Sequence, residues 1–250
     1  MSDKTREGPM QSAQRLARPE LPKRFYTTAA AAPLGDGFVL QLDGRAVKTP
    51  GRRPLAVPSA VVAEALAAEW GGQGERIDPS TMPVTRIVNA AIDSVADALD
   101  AVRAEVVRYA GSDLICYRAE TPDALAAMQA AKWDPLVRWA REALGASLSL
   151  AAGVVYVQQP AEAIEAIARA VAAFDPLKLA AVSTITTLTG SAVLGLALAH
   201  GRLTAEEAWT AALVDEEWEM SQWGQDAEAL AARAFRRREL DAAALILTAA

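Results

Sequence analysis

Only one cysteine and one histidine occur in the 250 residues. A lone thiol excludes an internal disulfide and any site built from several thiolates. Cys116 sits in the apolar run Leu114-Ile115-Cys116-Tyr117, which predicts a buried, inert thiol. His200 precedes Gly201, where a helix should stop, so it reads as part of a C-terminal cap. Zinc-protease spacing needs two histidines. Ser/His/Asp and Cys/His arrangements would both have to recruit His200, whose neighbours Leu198, Ala199 and Gly201 offer no orienting acid. Also missing are a Gly-x-x-x-x-Gly-Lys loop and a Gly-x-Gly-x-x-Gly turn after a strand, so the common nucleotide cradles are absent. No catalytic residue, metal or cofactor is expected.

Positive charge is also scarce. Lys and Arg total 25 against 31 Asp and Glu, for a net charge of -6. A general nucleic-acid binder needs clustered cations against phosphates, so that class is excluded. The densest basic cluster, Arg236-Arg237-Arg238, follows an acidic stretch and suits charge pairing near a helix terminus. Residues Met1 to Arg24 carry six Lys/Arg, three acids (Asp3, Glu7, Glu20) and no apolar stretch. That composition fits neither a secretory signal nor a transit peptide, and it predicts a disordered tail over residues 1–23. Residues 179–199 are uncharged and long enough to span a bilayer. Yet Ser and Thr crowd their first half, and no basic cluster or aromatic belt marks their ends. A fully buried central helix is expected, its hydroxyls bonded back to the preceding turn, with no stable membrane insertion.

The chain changes character near residue 95. Before it, Phe38–Leu42, Asp43-Gly44 and Arg45–Thr49 read as strand, tight turn and strand. Phe25-Tyr26-Thr27 reads as a third strand, and Ser59 should start a helix running to about Trp70. A further helix is expected from Val84. After residue 95, helical patterns cover about 97–110, 121–143, 161–173, 176–199, 204–231 and 232–247. Thr204 with Glu207 forms a capping box, while Asp134-Pro135 and Asp175-Pro176 mark breaks or helix starts. A strand is expected between Leu148 and Gln159. The resulting fold class is α+β, a small β-rich domain over 24–95 followed by a larger helical domain over 96–250.

Residues 215–228 carry six carboxylates and two tryptophans in four helical turns. At helical spacing Trp209, Leu213, Glu216, Met220, Trp223, Ala227 and Leu230 line one stripe, which predicts a packed face. Trp218 falls on the opposite side, as a second packed layer or an exposed anchor, and Asp215, Glu219 and Asp226 form an acidic flank. Such a helix suits docking, because exposed tryptophans are over-represented in interface hot spots. A hydrolase or lyase using this acidic cluster is the alternative. Glu216 and Glu217 are adjacent, however, and diverge by about 100° around a helix, so they do not face one substrate together. Asp215 and Glu219 share a face, where a repelling, solvated pair is the simpler reading.

Many ordered blocks resemble one family. They include Arg24-Phe25-Tyr26, Gly37-Phe38, Leu42-Asp43-Gly44-Arg45 through Pro50, Glu69-Trp70, Ile77-Asp78-Pro79 and Asn89 through Asp93. Asp113 through Ala119, Gln129 through Leu136, Gly190-Ser191 and the acidic Trp-Gly block ending at Trp223-Gly224 follow. Together they resemble the assembly chaperone of the F-type ATP synthase catalytic sector, found in mitochondria and alpha-proteobacteria, over about residues 24–248. The resemblance implies a non-enzymatic protein that binds the unassembled alpha subunit and masks its beta-facing surface. It implies a β-rich domain followed by a helical one, and a functional acid that maps best onto Glu217, with Glu216 beside it. Asp215, Trp218 and Glu219 complete the expected partner-binding set, while Trp70, Trp223, Asp43 and Gly44 are expected to be structural. The short, acid-containing N-terminal stretch points to a bacterial cytoplasmic member, its eukaryotic relatives being in the mitochondrial matrix.

Overall fold

A computed structural model describes residues 20–153 and 155–249, so the expected tail lies outside the described residues as far as residue 19. Folding of the first half rests on strand β2, Gly37–Leu42, which pairs on both edges. Strand β1, Ala29–Leu34, runs antiparallel to it from Ala29 opposite Leu42 to Leu34 opposite Gly37. The other edge of β2 is shared by two short strands. Strand β3, Arg45–Ala46, pairs with Gln41 and Leu42, while β4, Ala56–Val57, pairs with Phe38 and Val39. Asp43 and Gly44 both have positive φ, 48° and 76°, the pattern of the expected two-residue hairpin turn.

The expected strand Phe25–Thr27 is not one. The strand lies further on, in an alanine run of weak β preference, where pairing with β2 overrides propensity. Tyr26 is instead buried with Leu42, Ile77 and Met82. Helix α1, Ala60–Gly71, lies over the sheet and buries Val62, Ala63 and Leu66.

Helix α2 is Pro83–Ala90 and α3 is Leu99–Ala110, joined through a π turn at Ala91–Val95. Glu69 of α1 caps α2, its carboxylate accepting from Val84 N at 2.7 Å and from Thr85 N at 2.8 Å. Helix α4, Asp123–Trp139, lies within the helix expected over 121–143 and continues through Pro135, which is neither a break nor a helix start. Proline removes one main-chain bond there, but burial of Trp133 and Leu136 on either side of it holds the helix together. A two-stranded parallel pairing joins β5, Tyr117–Arg118, to β6, Ala151–Ala152. The strand expected over 148–159 is thus only two residues long, Val154 lying outside the described residues.

Helix α5, Ala161–Ala172, precedes α6, Pro176–Thr189, which Asp175 caps by accepting from Leu177 N and Lys178 N. The single buried helix expected over 179–199 is two helices. Gly190 adopts φ 71°, a left-handed stop, and Ser191 starts α7, Ala192–Ala199. Both are buried as expected, and Thr184, Thr187 and Thr189 donate back to carbonyls one turn earlier. Helix α6 is the hub, touching α2, α3 and α7. No helix among the described residues is long and apolar enough to cross a membrane. One apolar core runs from Leu40 to Leu247.

Candidate functional site

The single helix expected over 204–231 is three helices. Helix α8, Ala205–Ala212, opens with the capping box of Thr204 and Glu207. It ends at Leu213, where α9, Val214–Trp223, begins. Gly224 closes α9, and α10, Ala227–Ala249, returns to the core. Each break resets the helical phase, so the expected stripe survives only in its first members. Trp209 and Leu213 are buried against Leu240, Glu216 and Met220 are half-buried, and Ala227 and Leu230 are exposed. Trp223, expected in the packed face, is 88% exposed.

Helix α9 is held in place by its neighbours. Trp133 on α4 is fully buried, and its Nε1 donates to Ala211 O at 2.7 Å just before α9. Gln129, one turn earlier on α4, donates from Nε2 to Asp215 Oδ1 at 2.7 Å and accepts from Ala119 N at 2.7 Å. Asp215 is therefore a link to α4. Glu216 receives two bonds from Arg236 of α10, at 2.7 and 2.6 Å. Glu217 pairs with Arg233 of the same helix. Arg237 bonds Glu206 at 2.6 Å and Asp241 at 2.8 Å, so this basic cluster does pair with acids, across helices as well as along its own, but from the middle of α10 and not near a helix terminus as expected. Trp218 is half-buried, and Glu219 is exposed with no ion pair among the described residues.

This arrangement argues against concerted acid–base chemistry at the cluster. Glu216 and Glu217 each engage a different arginine, Arg236 and Arg233. Both pairs are partly open to water, with 41% and 47% of the two acidic side chains exposed. Exposed pairs of this kind contribute roughly 0–1 kcal/mol each, so a competing cation on a partner can exchange with them at small cost. The α9–α10 pair is thus an acidic face whose central charges are held but exchangeable.

The other expected residues lie in the first half of the chain, Asp43 and Gly44 in the turn between β2 and β3 and Trp70 on α1. Asp43 accepts from Thr28 N at 2.8 Å and Thr27 N at 3.1 Å, bonds that hold its carboxyl below the usual carboxylate range. Trp70 O accepts from the Tyr26 hydroxyl at 2.7 Å, with the two rings 5.7 Å apart. Both residues line an open groove of about 630 Å3 with Phe25, Arg45 and Lys48. Cys116 is buried, and burial pushes its thiol up to about 12. His200 ends α7 as expected, its ring 5.9 Å from Trp139. Composition and spacing gave no special role to Gln129 or Asp113, although both fall in the blocks that carried the resemblance. Asp113 is fully buried and accepts from Val193 N at 3.1 Å and Ile115 N at 3.3 Å.

Residues 23–141 match the family model described as ATP12 chaperone protein. Among solved structures, Atp12 from Paracoccus denitrificans is 39% identical, covering 91% of this chain and 97% of that chain, with a TM-score of 0.82. A protein from Agrobacterium tumefaciens, described as a candidate chaperone, is 45% identical over 98% of this chain and 92% of its own, with a TM-score of 0.87. The mitochondrial protein atp12 of Schizosaccharomyces pombe is 26% identical over 219 residues, 81% of this chain and 74% of that protein.

Proposed function

The chain belongs to the ATP12 chaperone family, and from that premise we propose that it is an ATP synthase assembly chaperone holding the unassembled alpha subunit. It covers the alpha surface that later meets beta until beta displaces it. The reading rests on the acidic α9–α10 face. Helix α9 carries Asp215, Glu216, Glu217 and Glu219 with no Lys or Arg, and Asp226 and Glu228 follow before the arginines of α10 begin at Arg233. An orphaned intersubunit surface is apolar and prone to aggregation. A face of this kind shields such a surface while its acids pair with basic groups around it. Charge pairing of this sort raises association rate and specificity more than affinity, which suits a complex that must yield to beta. Glu217, Glu216, Asp215, Trp218 and Glu219 supply the contact, with Arg233 and Arg236 releasing their acids to partner cations. The chaperone acts in the bacterial cytoplasm and needs no cofactor or catalysis. The rival hydrolase or lyase reading is disfavoured because Glu216 and Glu217 are split between two arginines.

Co-purification of the tagged protein with separately expressed alpha and beta tests this reading. Capture of alpha alone, lost on adding beta, is the expected result, and capture of neither would end it. A folded Glu217→Lys variant should keep less alpha soluble. Rescue equal to wild type would remove Glu217 from the contact while leaving the partner intact.

A further inference from the structure

The tip of the α9–α10 hairpin carries an aromatic ring that the fold does not use. Trp223 is 88% exposed and enters no aromatic pair or cation–π contact among the described residues. Leaving an indole in water gives up the burial that makes tryptophan valuable to a core. The ring is nevertheless presented by a built corner. Gly224 donates to Met220 O at 3.0 Å and has φ 84° and ψ -170°, a region essentially reserved to glycine. Asp226 then accepts from Ala229 N at 2.8 Å and starts α10.

Charge around the ring is equally unbalanced. Glu219, Asp226 and Glu228 are exposed and make no ion pair among the described residues, whereas Glu216 and Glu217 are matched to arginines. Leu230 on the first turn of α10 is a second exposed apolar side chain, 43% exposed. Glu219 lies one turn before Trp223 on α9, and Asp226 and Glu228 follow within five residues. An indole on a segment of uncompensated carboxylates fits an apolar pocket with Lys or Arg at its mouth; a neutral or acidic mouth would leave the three acids repelled or desolvated. Anionic lipid surfaces are disfavoured by the same sign argument.

We propose that Trp223 is the anchor of this chaperone, inserting into a basic-rimmed apolar pocket on the unassembled alpha subunit. The inference rests on the proposed function for the identity of the partner and adds the element that grips it. Single buried aromatic anchors ringed by polar contacts carry much of the affinity at protein interfaces. Glu219 and Glu228 provide the outer charge contacts, and the pairs at Glu216 and Glu217 lie closer to the core.

The test titrates full-length wild type, Trp223→Ala, Trp223→Phe and the Glu219→Gln/Glu228→Gln double variant into isolated alpha subunit at low and high salt. Circular dichroism and melting curves check the fold, and sedimentation checks self-association. Trp223→Ala should weaken binding about thirtyfold or more, with Trp223→Phe in between and melting unchanged. The double variant should bind more weakly and with a shallower salt dependence. If wild type and Trp223→Ala bind alpha equally, the anchor falls and the proposed function stands. If wild type does not bind alpha, the proposed function falls and takes this occupant with it. This chain also carries a basic, aromatic groove at Phe25, Arg45 and Lys48. Self-association abolished by Trp223→Ala would therefore assign the ring to a second copy and overturn the inference.

Discussion

Single polar residues decide where helices start in this protein, and Asp113 shows what that costs. Its carboxyl is fully buried, caps the turn at Ile115 and meets the N-terminal end of α7 at Val193. Burial is the dominant influence and raises it to about 6, against the pull of the Ser191 hydroxyl and the main-chain donors. Protonation is therefore easier in the fold than in the unfolded chain. The resulting stability is fully present below about pH 4, where the unfolded carboxyl is also protonated, and is lost as pH rises through about 6. Urea unfolding from pH 4 to 7 should show wild type losing on the order of 2–3 kcal/mol relative to Asp113→Asn across that window. A pH-independent difference between the two would place the titration elsewhere. Asp113→Ala should cost about 2 kcal/mol or more by leaving buried donors unpaired.

At the scale of elements, the breaks matter more than the helices. Gly190 ends α6 with φ 71°, and a side chain added there would meet only Leu114 Cβ at 3.9 Å. Gly190→Ala should thus cost about 1–2 kcal/mol through the left-handed backbone alone, read as a lower urea midpoint with unchanged helix content. A larger loss would show that the α6–α7 corner also lacks room. These breaks explain which features were readable in sequence. The Asp43-Gly44 hairpin, the Thr204 capping box and the Asp175-Pro176 start each rest on short-range chemistry, and each stands where the residues placed it. Helices α6 and α7 read as one because both are apolar, and periodicity is silent about a stop inside a buried run. The same silence misplaced Trp223, since one stripe was drawn across Leu213 and Gly224. Gln129 was not assigned its bond to Asp215 for a different reason. The two residues are 86 positions apart, and no local pattern records a tertiary hydrogen bond.

For the whole molecule, the change of character near residue 95 is a change of secondary structure and not a gap in packing, because the largest buried cluster takes residues from both sides of it, from Leu40 and Leu66 to Ile185 and Leu247. Arg86 on α2 reaches across it to pair with Glu239 on α10, and stacks 5.5 Å from the Phe235 ring. Only 10% of the Glu239 side chain is exposed, against 37% for Arg86. Removing the arginine strands a nearly buried carboxylate, a loss of 3–5 kcal/mol when both partners are dry. Water reaching Arg86 screens the pair, so Arg86→Ala should cost about 2 kcal/mol. Replacing both residues, as Arg86→Met with Glu239→Gln, should recover more than half of that loss, since the unpaired charge disappears. Tryptophan fluorescence and far-UV circular dichroism should give one coincident urea transition in every variant, because the largest apolar cluster takes residues from both halves. Two separated transitions in the Arg86→Ala variant would mean instead that the sheet half and the helical half keep independent stability, with this ion pair as their main coupling.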